Sequence, residues 1–409
     1  MPIKDPVDNN NMSATAIATA AVEDGTPPDQ VWVMGYYVGY QGVEHTPAMV
    51  DYSSMTHIMI GNALPKNDGS FDTQFAIDHV NGPAWAKETV KRAHAAGIKA
   101  ILMIGGSDGS GATITAFRKV SNPDIRTAFV NNVKALIMDY GFDGIDLDWE
   151  PLSFRNPNDR PSILALAQAL REAMPTMVMT IPVGWNNSNF SKDMVNSFYG
   201  ELSASFDRVN MMSYGMVMCG DGWESWHSSA LYGKTNSTPS SIDDTTKALI
   251  TAGVPKTKIG IGMGFYGTTY EKGSWHLDKW VAAGSGPYVT APHQNTDSYG
   301  IRFSDNDVSY SNIMQYYYEE TAHHWDDIAK ASYLSWSTPK QIPVPASKTK
   351  ISTTYTTYED ETSIAQKGAY VKSQGLGGVI IWTISQGYLG WMTTGEKDPL
   401  MKATKAAFM

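Results

Sequence analysis

From Val31 onward, short apolar runs alternate along the chain with longer stretches whose apolar positions recur every three or four residues. The short runs read as buried strands and the periodic stretches as amphipathic helices. The runs are Val31–Val38, His57–Leu64, Lys99–Gly105, Phe142–Glu150, Val178–Gly184, Arg208–Tyr214, Lys258–Tyr266 and Gly378–Ser385. Asn122–Pro123 opens one of the intervening helices with proline in its first turn, and Gly141 closes it. Phe129, Val133, Leu136, Ile137 and Tyr140 make its buried stripe. Asp159 and Pro161 open another, whose stripe is Ile163, Leu166, Ala167 and Leu170. Eight such units predict a closed α/β structure, the (β/α)8 or TIM barrel, over residues 31–409. No GxGxxG turn follows the first run, which removes a dinucleotide-binding sheet.

The spacing breaks once. Roughly a hundred residues separate the seventh run from the eighth, where a barrel unit needs about thirty. Residues 268–345 are expected to form a small α+β insertion at the carboxyl-end face, one wall of a groove. Glu361–Gly375 then reads as the seventh barrel helix, and His323–His324 as a solvated helix face. Residues 1–30 are small and polar and read as a disordered or leader segment. Ala14–Val22 is too weakly hydrophobic, with acidic neighbours, to be a signal-peptide core.

Composition narrows the partners. No apolar run approaches the ~20 residues that cross a bilayer. A net charge of −10 and a pI near 5.4 argue against nucleic acid or anionic lipid and leave room for a neutral substrate. The 12 Trp and 21 Tyr offer flat apolar faces with polar edges, which suit sugar rings as well as a core. A single cysteine, Cys219, excludes an intramolecular disulfide and a cysteine-rich metal site.

The chemistry concentrates in Gly141-Phe142-Asp143-Gly144-Ile145-Asp146-Leu147-Asp148-Trp149-Glu150-Pro151. Strand side chains alternate, so Asp146, Asp148 and Glu150 share one face and Ile145 and Leu147 the other. The apolar pair belongs against the helices, which sends three carboxylates toward the barrel axis, successive ones about 6–7 Å apart. Acids so placed cannot all ionise, and a raised pKa is what a proton donor to a leaving group needs. Glu150, at the carboxyl end where barrel sites form, is the natural donor. A hydrogen-bonded structural cluster or an oxygen-ligated Mg²⁺ or Ca²⁺ would use the same residues. Asp143 falls out of phase and reads as structural.

The pattern Asp143-x-x-Asp146-x-Asp148-x-Glu150 resembles the signature of family 18 glycoside hydrolases, the chitinases and endo-β-N-acetylglucosaminidases. The resemblance runs from about Val31 to Met409. It takes in Gly105–Gly106, Met212-x-Tyr214, Phe265-Tyr266-Gly267, Trp382 and the position of the insertion. It implies a retaining hydrolysis of N-acetylglucosamine linkages in which the substrate's own acetamido oxygen is the nucleophile, outside the usual two-carboxylate scheme. By the resemblance Glu150 is acid and base, Asp148 orients the acetamido nitrogen, and Asp146 supports Asp148. Tyr214 would meet the acetamido carbonyl and Trp382 form an apolar floor. Tyr37, Met212, Tyr266, Trp149 and Gly106 are candidate sugar contacts, as are Trp223 and Trp226. A secreted monomer is implied, acting on chitin or its oligomers without cofactor, metal, nucleic acid or membrane. A lectin-like relative that has lost catalysis is the different class to weigh, although such proteins typically lack the acid that is present here.

Two positions depart from the family pattern. Met103 stands where a small residue such as serine is usual, and a thioether cannot donate to Asp146. Gly215 stands where many members carry an aspartate, so Glu150 is expected to have a less raised pKa than in those members.

Overall fold

The computed structural model describes residues 30–42, 44–107, 110–150, 156–186, 196–217, 224–233, 235, 238, 240–271, 286–288, 301–302, 308–344 and 349–409. The expected leader at 1–30, apart from Gln30, lies outside these residues, as do Cys219 and Trp223. The parallel strands are β1 (Trp32–Val38), β2 (His57–Pro65), β4 (Lys99–Gly105), β5 (Gly144–Asp148), β6 (Val178–Val183), β7 (Arg208–Met211), β8 (Ile259–Gly264) and β14 (Gly378–Trp382). They run β1-β14-β8-β7-β6-β5-β4-β2, and β1 pairs with β2 to close the barrel. β3 (Phe71–Asp72) adds antiparallel to the end of β2.

Each strand runs where an apolar run predicts it, and alternation sorts its side chains. Val33, Ile58, Ile60, Leu102, Ile145, Leu147 and Ile181 point outward into one continuous core with the surrounding helices. Met34, Tyr36, Met59, Ile101, Met103 and Ile380 fill the barrel interior. The strand β8 sends glycines inward. A Cβ on Gly260 would lie 2.1 Å from Oδ1 of Asn210, and one on Gly264 would lie 2.6 Å from the Tyr266 ring. Large side chains from β7 and the barrel mouth take that space.

The helices follow their end signals. Around the barrel lie α1 (Asn81–Ala95), α2 (Ala112–Val120), α3 (Pro123–Tyr140), α4 (Arg160–Ala173), α5 (Phe198–Ser203), α6 (Ile242–Thr251), α7 (Glu361–Gln374) and α8 (Pro399–Phe408). Gly141 ends α3 in the left-handed conformation, φ 79°, with its N–H on the Ile137 carbonyl. Asp159 precedes α4 but makes no side-chain cap; it accepts from the Arg118 guanidinium of α2 instead, at 2.7 Å. No helix among the described residues is long and apolar enough to cross a membrane.

Between β8 and β14 stands a five-stranded antiparallel sheet, ordered β10-β9-β13-β12-β11. Its strands are β9 (Thr268–Glu271), β10 (Ile301–Arg302), β11 (His323–Asp326), β12 (Ala331–Val344) and β13 (Thr349–Tyr358). The sheet continues past residue 345, because β13 completes a long hairpin with β12. That strand hides from hydropathy, since Thr353, Thr356 and Thr357 are buried, and Thr353 and Thr356 hydrogen-bond Thr269 across the sheet. His323 and His324 lie on β11, not on a helix: His323 approaches Asp360 at 3.5 Å and His324 stacks on Tyr333.

A buried polar seam ties this sheet to the barrel. His227, in the segment after β7, hydrogen-bonds Asp326 of β11 at 2.9 Å. Asp360 caps α7 through the Ser363 N–H and accepts from Ser332 of β12. Lys367 of α7, with no exposed surface, pairs with Glu359 and donates to Ser229. Removing one member of such a pair strands the other charge in a dry interior. Lys367→Met should therefore destabilise the fold by about 3–5 kcal/mol in a denaturant titration. The double variant Lys367→Met, Glu359→Leu should recover most of that loss; equal losses in the two proteins would show that the pairing is not the cause.

Candidate functional site

The site lies inside the carboxyl end of the barrel, where β5 delivers its acids. The strand ends at Asp148, two residues before the expected end, and Trp149 and Glu150 follow in a turn held by the Glu150 N–H on the Asp148 carbonyl, 3.1 Å. Gly105 and Gly106, with φ of 102° and 95°, let the chain after β4 fold over β5. A Cβ on Gly105 would lie 2.2 Å from the Asp148 carbonyl oxygen, so only glycine fits. This approach puts the Gly106 N–H on that oxygen at 2.8 Å and the Ser107 N–H on the Glu150 carboxylate.

The acids stand in unequal surroundings. Asp146 is fully buried, with the Tyr36 hydroxyl on Oδ2 at 2.7 Å and the Thr180 hydroxyl on Oδ1 at 2.5 Å. Burial raises its pKa, those two bonds oppose the rise, and the result is about 6. Asp148 is also buried, yet its Oδ1 has no partner among the described residues. Burial, then the charges of Glu150 and Asp146, drive its pKa well up. Glu150, half-buried at the mouth, is raised by burial against the Ser107 N–H. Asp143 sits at the opposite end of the strand, accepting from the Ala100 N–H and His94 in a structural role.

A cavity of about 200 Å³ opens above Asp148 and Glu150. Its walls are Tyr36, Tyr214, Tyr266 and Trp382, with Pro182 and Met212. Tyr266 meets Tyr214 edge-on at 6.1 Å, and Tyr36 tilts against Trp382 at 5.3 Å. Burial first, then neighbouring groups that include Glu150 and Asp148, keep Tyr214 protonated as a donor. Beside it lies a groove of about 670 Å³, walled by Tyr40 and Gln41 after β1, Asn312 and Gln315 from the insertion, and Tyr388 and Trp391 after β14. Thr383, next to Trp382, donates to Gln41 at 2.5 Å, and Tyr266 bridges to Ser309, so residues of the cavity wall are joined to residues of the groove wall.

The structure thus gathers Asp146, Asp148, Glu150, Tyr214, Met212, Tyr266 and Trp382, with Gly106 at the rim. A Cβ on Gly106 would sit 3.5 Å from Asp148 Oδ2. Tyr37 and Trp149 belong elsewhere. Each is one residue out of phase with the inward face and points into the outer core. Tyr37 donates to the His45 carbonyl and receives from Trp85, while Trp149 stacks on Phe117 at 4.8 Å. Trp226 is likewise core, its indole N–H on the Ser240 carbonyl. Sequence reasoning overlooked Tyr36, Thr180 and Pro182, all inward by simple alternation along β1 and β6. Among the described residues no cluster of three or more acidic, histidine or cysteine side chains is arranged to hold a metal ion.

The buried acids carry a cost that depends on pH. A carboxyl whose folded pKa exceeds its unfolded value near 3.9 gives full stability below that value, which is lost as pH rises through the folded pKa. For Asp146 the window runs from about 4 to about 6 and the loss is about 3 kcal/mol. Asp148→Asn removes one such group, so its melting temperature should exceed the parent's by more at pH 8 than at pH 4. A difference independent of pH would contradict this.

Residues 32–387 match the model of "Glycosyl hydrolases family 18". A "chitinase-like effector" of Moniliophthora perniciosa is 23% identical, over 94% of this chain and 88% of the relative. A "Class V chitinase" of Arabidopsis thaliana is 25% identical, over 82% of this chain and 81% of its own length. The crystal structure of a chitinase-like agglutinin from Robinia pseudoacacia superposes with a TM-score of 0.68 at 20% identity, covering 92% of this chain and 99% of the agglutinin.

Proposed function

Because the chain belongs to family 18 of the glycosyl hydrolases, we propose that it is a chitinase, cleaving β-1,4 bonds between N-acetylglucosamine units with retention at the anomeric carbon. One observation carries the reading: Glu150 and Asp148, both raised in pKa, face one aromatic-walled cavity with Tyr214. Glu150, held protonated, donates to the glycosidic oxygen as the bond breaks. The acetamido oxygen of the sugar on the cavity floor attacks the anomeric carbon and closes an oxazolinium ring. Asp148 accepts from the acetamido N–H through an oxygen that carries no proton and holds the group in line with the anomeric carbon. Tyr214 donates to the acetamido oxygen and aims it, while Trp382 packs under the sugar face. Glu150, now ionised, then takes a proton from the water that opens the ring.

The groove supports a chain of several sugars over a single branched glycan core, since it lies beside the cavity and its lining is aromatic, amide and hydroxyl with Glu44 as its carboxylate. We place the working protein outside the cell as a monomer, where insoluble polymer is met. The chitinase-like effector and agglutinin among the similar proteins make sugar binding without turnover the second reading.

A defined N-acetylglucosamine oligomer separates the two. Hydrolysis should give shorter oligomers whose new ends are initially β-anomers by NMR. Glu150→Gln should lower kcat by about 10²–10⁴-fold, the range of general acid catalysis, while binding of the oligomer by calorimetry is kept. Binding without turnover in the parent protein would favour the lectin-like reading, and full activity in Glu150→Gln would remove the mechanism.

Gly215 follows Tyr214 with φ 64°, a conformation aspartate and asparagine tolerate better than most residues. A carboxylate there adds negative charge near Glu150 and should hold its proton to higher pH. The alkaline limb of the kcat profile should move up in Gly215→Asp and stay in place in Gly215→Asn. Equal limbs in the two variants would show that charge at 215 does not reach the acid.

A further inference from the structure

We propose that Thr180 is the positioning residue that keeps Asp146 the ionised member of the acid strand and thereby leaves the shared proton on Asp148; this rests on the hydrolytic reading above. Asp146 has one neighbouring strand on each side. The register sets Met103 of β4 beside it on one side and Thr180 of β6 on the other. Met103 has a thioether and nothing to donate. On β6 the inward positions are Val178, Thr180 and Pro182, so the Thr180 hydroxyl is the hydrogen-bond donor that this strand's side chains send into the barrel. Its oxygen lies 2.5 Å from Asp146 Oδ1, and both residues are fully buried.

The contrast two residues along is what gives the bond its meaning. Asp146 receives a hydroxyl on each oxygen, whereas Asp148 Oδ1 has no partner among the described residues. Donors favour the charged form of a carboxyl and an apolar neighbour disfavours it. The groups facing Asp146 are Tyr36 from β1, Met103 from β4, Thr180 from β6, Tyr214 after β7, and Asp148 and Glu150 along its own chain. None of these is a cation, so the two hydroxyls are what holds the negative charge on Asp146. With Asp146 ionised, its charge raises Asp148 and keeps the proton there, ready for Glu150 or the acetamido group. Thr180 thus supplies, from the opposite strand, the donor that Met103 cannot.

Thr180→Val keeps the shape and removes the donor. The acid limb of its kcat profile should move about one pH unit upward, because Asp146 must lose its proton without that bond. Near neutral pH kcat should fall about tenfold, with KM within about twofold. Its melting temperature relative to the parent should fall more steeply from pH 5 to pH 8, as ionising Asp146 becomes costlier. Thr180→Ser should restore both behaviours. Thr180→Ala, which places no methyl against the carboxylate, serves if the valine variant does not fold. A folded Thr180→Val whose melting temperature tracks the parent's at every pH, or a Thr180→Ser as impaired as Thr180→Val, would overturn the proposal. A parent protein inert on N-acetylglucosamine oligomers would instead remove the hydrolytic reading, while the melting comparison still decides whether Thr180 holds Asp146 ionised.

Discussion

A β-strand sends alternate side chains to opposite faces, so a barrel that buries Ile145 and Leu147 against its helices must also bury Asp146 and Asp148 inside. Two carboxylates in a dry interior are costly unless the surroundings divide the charge between them. The barrel does this by giving Asp146 two hydroxyl donors and leaving Asp148 an oxygen with no partner among the described residues. Much of the interior follows from that division. Tyr36 is turned inward by the alternation of β1, the glycines of β8 make room for side chains from β7 and the mouth, and Gly105–Gly106 fold over the end of β5 to reach Glu150.

The same division explains how three acids share one site. Each step outward along the strand leaves the acid less anchored and more open. Asp146 is locked, Asp148 is buried with one oxygen unbonded among the described residues, and Glu150 stands half-buried at the mouth with a backbone N–H for support. A rigid inner charge and a free outer carboxyl suit proton donation to a bulky neutral substrate. On the hydrolytic reading proposed above, net acidity of the chain does not interfere, because a neutral sugar would feel little of it.

The insertion supplies one wall of the groove from the segment Ser309–Gln315, between β10 and β11, and carries a five-stranded sheet besides. The sheet is held by a buried seam, His227 to Asp326, Lys367 to Glu359, and Asp360 to Ser332, that crosses from barrel segments to insertion strands. A seam of charges and hydroxyls demands particular partners, which fixes the sheet in one position more strictly than apolar contact alone.

The linear chain determined the barrel, because burial on both faces makes strand runs apolar and helices periodic, and both signals are local. It also determined which acids face inward, since alternation needs no knowledge of neighbours. Applied consistently, the same rule would have placed Tyr36 inside and sent Tyr37 and Trp149 outward. Only the tertiary structure decided who stands beside each acid. Strand register set Thr180 against Asp146, and nothing near Thr180 in the sequence marks that pairing. It likewise decided the extent of the insertion, because β13 buries threonines whose hydroxyls find partners only across the sheet. Hydrophobic pattern reports what a residue avoids, whereas register and packing determine what it meets.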